Sequence, residues 1–91
     1  MQMSYPYPNP VNGGRRVRVD IQTACLKVIR CSVDTAAYRK IEEWNVTVDG
    51  RDTLAWDLKD ARGKSVAAGL YYLVISMEGQ KDRVMPIVVL P

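Results

Sequence analysis

The chain has no histidine in its 91 residues, and only two cysteines. Without histidine, a Ser-His-Asp or Cys-His catalytic arrangement lacks its base, and a zinc site built on Cys and His lacks half its ligands. Cys25 and Cys31 lie in a segment that reads as one strand. At about 3.3 Å per residue their Cα atoms stand roughly 20 Å apart, far outside disulfide range. Both therefore read as small core or half-buried residues. Glu42 and Glu43 are adjacent, so on a strand they point to opposite faces and do not flank one substrate. No enzyme site and no cofactor emerges from these residues.

Long hydrophobic runs are also missing. No stretch approaches the roughly 20 apolar residues of a membrane-spanning helix, and "MQMSYPYPNP" has neither the cationic nor the apolar region of a signal peptide. An export address, if there is one, is expected outside this sequence or in its C-terminal half. Nor is there an excess of one charge: 13 basic and 10 acidic side chains leave a net +3. Only "GRRVR" (14–18) concentrates positive charge, which argues against nucleic-acid binding and fits a solvated strand edge.

What the chain does have is 47% apolar residues with 25% charge, the balance of one folded domain with a modest core. Prolines 6, 8 and 10 in "YPYPNPVNGG" fix φ and remove three backbone donors, so residues 1–14 read as an extended leader, unsuited to a helix or a central strand. "RVRVDIQ" then alternates Val17, Val19 and Ile21 against polar residues with the period of a half-buried strand. "ACLKVIRCSV" is a second β-rich run with Leu26 and Val28 on one face. "SVDTAAY" supplies a turn, and "AAYRKIEEWNVTV" reads as a strand with an irregular start. "DGRD" is a turn of the Asp-Gly type that favours hairpins. "TLAWDL", "LYYLVISMEG" and "DRVMPIVVLP" complete the set, the last placed at an edge or a bulge by Pro86. Six or seven strands without a convincing helix predict an all-β antiparallel sandwich over residues 15–91. Its expected core is Val17, Val19, Ile21, Leu26, Val28, Trp56, Tyr71, Leu73, Ile75 and Val89.

The most informative stretch is "WDLKDARGKSVAAGLYYLVI", which has the form W-D-x-x-D-x-x-G-x-x-V-A-x-G-x-Y. Trp56 is a large apolar plug at a strand end, and Asp57 and Asp60 are placed to accept hydrogen bonds from the turn that follows. Gly63 supplies the positive φ of a short hairpin, Val66 returns to the core, and Gly69 allows a bulge or close backbone approach before Tyr71. Asp49, Asp52, Asp57 and Asp60 together offer oxygen ligands of the kind calcium takes, though turn capping explains them equally well. Trp44, Trp56 and the five tyrosines would make a glycan platform only if several shared an exposed face, and Trp56 and Tyr71 are phased inward.

This stretch resembles the signature of a family of Ig-like β-sandwiches. The family includes the Ig-like domain of the flagellar hook-capping protein and the C-terminal sorting domain of proteins exported by the type IX (Por) secretion system of Bacteroidetes and related bacteria. The "YPNP" of Tyr7, Pro8, Asn9 and Pro10 and the apolar ending "VMPIVVLP" are similar to the start and close of such sorting domains. The chain departs from the family pattern in having no glycine in "RCSVDTAAY" and no basic residue at its end. The resemblance implies an Ig-like sandwich that is not an enzyme. It further implies a C-terminal module that directs or attaches a secreted protein to the outer membrane or cell surface by way of the periplasm. Its partners would be upstream domains of a larger protein and export machinery, with the leader as the joint, holding the sandwich off without competing for strand pairing. A hook-cap-like assembly domain, acting through self-assembly partners, and a glycan- or protein-binding module are the alternative readings.

Overall fold

The computed structural model describes residues 1–91 and contains β-strands with no helix. The strands are β1 (Gln2–Met3), β2 (Val11–Asn12), β3 (Val17–Gln22), β4 (Lys27–Thr35), β5 (Lys40–Val48), β6 (Arg51–Trp56), β7 (Gly69–Met77) and β8 (Arg83–Leu90). They form a β-sandwich with sheet orders β1-β3-β6 and β2-β8-β7-β4-β5. The expected six or seven strands become eight because the leader itself contributes two short ones. The pairing is not antiparallel throughout, since β2 runs parallel to β8.

Period-two alternation explains the core. In β3, Val17, Val19 and Ile21 are buried while Arg18, Asp20 and Gln22 face solvent. In β7, Tyr71, Leu73, Ile75 and Met77 point inward, and in β8 Met85, Ile87 and Val89 do. The expected core is corrected at β4. Leu26 precedes the strand and Val28 lies on its outer face, both 63% exposed, while Ile29, Cys31 and Val33 are the buried set. Residues 28, 30, 32 and 34 must share a face, and burying Arg30 and Asp34 would cost far more than exposing one valine. Cys25 is likewise exposed, in the bend before β4, whereas Cys31 is buried, and both are free. Burial pushes the Cys31 thiol up to about 11, which keeps it protonated and unreactive.

Two of the connections are hairpins, β4–β5 and β7–β8. In the first, the glycine missing from the sequence is replaced by Tyr38, which adopts φ 65° and stacks on Tyr72 with ring centroids 5.8 Å apart. Thr35 closes that turn, its Oγ1 accepting from the Arg39 N–H. Asp49-Gly50 does turn the chain, with Gly50 at φ 86°, but β5 and β6 belong to different sheets. The expected hairpin is therefore a crossover, fastened by the Thr23 N–H on the Gly50 carbonyl and the Gly50 N–H on Thr23 Oγ1.

Residues 1–14 do not stand off from the sandwich, contrary to the expectation that the leader leaves strand pairing alone. Gln2 and Met3 pair with β3, Tyr7 bridges Arg18, and the chain then crosses to the other sheet, where Val11 and Asn12 pair with Val89 and Leu90. Val11 is wholly buried. Proline-rich chain is unsuited to the centre of a sheet, yet its missing N–H groups cost nothing at an edge that pairs on one side only.

Candidate functional site

The motif residues fold into one corner between β6 and β7. Trp56 ends β6 with its ring buried, its Nε1–H donating to the Lys59 carbonyl at 2.9 Å. The chain can reverse so soon because Leu58 takes φ 61° and turns its buried side chain under the corner. Asp57 Oδ1 accepts from the Lys59 N–H, and Asp60 Oδ1 accepts from both Arg62 and Lys64 N–H. Those bonds, led by that from Lys64, hold the Asp60 carboxyl below its ordinary value. Gly63 sits at φ 80° between the paired residues Lys59 and Ser65, a conformation that costs an L side chain about 1–2 kcal/mol.

The return limb is fastened in the same way. Val66 donates its N–H to the Leu58 carbonyl and packs half-buried against the core. Gly69 has φ 150°, and a Cβ there would meet nothing within 4 Å, so neither a bulge nor a close approach calls for this glycine: the backbone angle does. Tyr71 lies edge-on to Trp56, centroids 5.6 Å apart, and its hydroxyl donates to the Ala67 carbonyl at 2.6 Å. A tyrosine that reaches back a few residues at a strand start is a corner that immunoglobulin-type sandwiches also use.

The leader motif makes a second fastening that the sequence reading missed. The Asn9 side chain donates through Nδ2 to the Pro86 carbonyl at 2.9 Å and accepts at Oδ1 from the Val88 N–H at 3.0 Å. A residue of a parallel neighbour would make those two bonds if it stood opposite Ile87. Since Val11 stands opposite Val89, the Asn9 carboxamide adds one further rung to the β2–β8 ladder. Pro8 and Pro10, flanking it and both following cis peptide bonds, offer no N–H for that purpose. Tyr7 secures the other sheet: its hydroxyl donates to Asp20 Oδ1 at 2.7 Å, as does that of Thr53 at 2.9 Å. The two hydroxyls, Tyr7 first, hold the Asp20 carboxyl low.

Most of these groups fasten backbone, and the Tyr7, Asp20 and Thr53 side chains fasten one another. Asp57 and Asp60 are each occupied by their own turn, and no three His, Cys, Asp or Glu side chains converge. The calcium reading of the four aspartates thus has no converging ligand set behind it. Aromatic rings do not gather either: Trp56 and Tyr71 are internal, and of the exposed rings Tyr38 is stacked on Tyr72 while Tyr5 and Tyr7 lie in the leader. A shallow surface depression of about 750 Å³ lies on the outer face of the three-stranded sheet among Gln2, Ser4, Asp20, Gln22, Arg51 and Thr53.

No protein-family model matches the chain, and no curated protein matches it in sequence. Among solved structures the fold is similar to part of PorZ, an essential bacterial surface component of the type IX secretion system of Porphyromonas gingivalis. That match has 18% identity and a TM-score of 0.70, and covers 96% of this chain and 11% of PorZ. It is similar also to part of dimeric latent PorU from Porphyromonas gingivalis, at 18% identity and TM-score 0.68, over 93% of this chain and 9% of that one. A β-glucosidase from Listeria innocua contains a related part, at 15% identity and TM-score 0.57, over 99% of this chain and 16% of the enzyme. At such identities the likeness shows the fold. This chain corresponds to a small fraction of each of these much longer proteins.

Proposed function

We propose that residues 1–91 form a non-enzymatic module that directs or attaches a secreted bacterial protein to the outer membrane or cell surface by way of type IX secretion. The observation that carries this reading is the 96% coverage by part of PorZ: the likeness takes in the leader as well as the sandwich. The "YPNP" and W-D-x-x-D-x-x-G-x-x-V-A-x-G-x-Y motifs support it, since both belong to the family resemblance and both fasten the fold. The absence of histidine supports a role in recognition. With the motif residues spent on fastening, recognition falls to the folded sandwich as a whole, and its partners are the upstream domains and the export machinery.

The test is a fusion. The chain is placed behind a signal-bearing reporter in a host that uses type IX secretion, and surface exposure of the reporter is measured by protease accessibility on whole cells. The reporter is expected at the surface with the chain and in the periplasm without it. A reporter that stays in the periplasm while circular dichroism shows a folded sandwich overturns the reading.

A further inference from the structure

The two sides of the sandwich are treated unequally. On one side the leader covers both sheets, β1 on β3 and β2 with Asn9 on β8. On the other side β5 and β6 are left as free edges. β6 is six residues long and starts with the charged pair Arg51-Asp52. β5 is nine residues long, and its two halves differ.

The first half of β5 is guarded in the ways free edges usually are. It carries Lys40, Glu42 and Glu43, the register shifts between Val33 and Asp34 on its partner, and the Ile41 carbonyl already accepts from the Ala61 N–H. The Glu43 N–H is held by the adjacent Glu42 carboxylate. Backbone groups of alternate residues face the same side of a strand, so after Ile41 and Glu43 the edge-facing residues are Asn45 and Thr47. Their N–H and C=O groups have no partner. From Trp44 to Val48 there is no charge, proline or bulge.

We propose that this half of β5 pairs with β5 of a second copy of the chain, antiparallel about a twofold axis at Asn45, joining two five-stranded sheets into one of ten. The occupant follows from self-complementarity. With Asn45 opposite itself, Glu43 meets Thr47 of the other copy and Trp44 meets its Val46, an aromatic against a β-branched side chain. No like charges face one another. The register uses every free edge group from Glu43 to Thr47, the Glu43 N–H exchanging its own neighbour's carboxylate for the second copy. Moving the axis to Glu43 opposes two carboxylates and runs into Ala61. A shared edge strand about a twofold is also the isologous contact that closes a dimer without propagating further. This inference does not depend on the sorting role.

The experiment is sedimentation equilibrium of the 91-residue chain over a range of concentrations, with reductant present so that the exposed Cys25 cannot cross-link copies. The parent chain is expected to form a dimer. Asn45→Pro removes an edge-facing N–H while leaving the ladder to β4 intact, and is expected to be monomeric with the parent's circular dichroism spectrum. Asn45→Lys and Asn45→Asp each place like charges on the axis and are expected to be monomeric alone and to form a mixed dimer when combined. A parent that stays monomeric, an Asn45→Pro variant that still dimerises, or a Lys and Asp mixture that does not pair would each overturn the proposal. If Asn45→Pro does not fold, the mixture decides.

Discussion

A single carboxamide does the work of two backbone groups at Asn9. A side chain can extend a ladder only if it presents a donor and an acceptor together, and among side chains of this length only asparagine does. Asn9→Ala should cost about 1 kcal/mol of unfolding free energy through the two lost bonds. Asn9→Asp should cost more at neutral pH, because it sets a carboxylate oxygen against the Pro86 carbonyl, and the deficit should shrink on acidification as the protonated acid regains a donor. Urea unfolding at pH 7 and pH 4 checks both. Residues whose role is local were legible in the sequence. Trp56, Asp60 and Gly63 act within a few positions of themselves, and turn chemistry is written at that range. Asn9 acts on Pro86, 77 residues away, and no local pattern encodes that partner. Tyr38 was opaque for the opposite reason: its positive φ is not a tyrosine preference, and the ring of Tyr72 beneath it is a tertiary contact.

Among the elements, the leader separates what composition tells from what packing tells. Its prolines ruled out a helix and a central strand, and both exclusions agree with what is seen. The expectation that the segment stands off from the sandwich went beyond them, and Val11, the one aliphatic residue of 4–14, overturns it by being wholly buried. Val11→Ala should cost roughly 2 kcal/mol and lower the melting temperature by roughly 10 °C for a domain of this size. A floating linker would show no change. The β4 phase was misread for a related reason: Leu26 and Val28 are as apolar as Ile29 and Val33, and the polar residues that settle the face, Arg30 and Asp34, come later in the strand. Asp49-Gly50 announced a turn correctly, but turn chemistry does not say whether the next strand returns to the same sheet.

At the scale of the molecule, the β-sandwich itself was legible, because alternation repeated over many short segments survives an error in any one of them. The two-sheet partition was not, since β3–β4, β5–β6 and β6–β7 all change sheets. Charge adds a global property. Asp20, Asp60 and Glu43 are all held below their ordinary values of 3.8, 3.8 and 4.5, Asp20 mainly by Tyr7, Asp60 by the Lys64 N–H and Glu43 by Lys40. A carboxyl depressed in the folded state stabilises above its unfolded value and loses that contribution as pH falls through its folded one. The melting temperature should therefore be flat from neutral pH downward and fall below about pH 4. A combined Asp20→Asn and Asp60→Asn variant should start lower and lose less, as calorimetry across pH would record. The parallel pair β2–β8 has a further, mechanical meaning. Once β1 and the Tyr7 bridge have come away from β3, a pull that draws residue 1 away from residue 91 loads neighbouring strands that run in the same direction, so the rungs at Asn9, Val11 and Asn12 bear the tension side by side in shear. They must then yield together, where a ladder opened from its end would give way one bond after another.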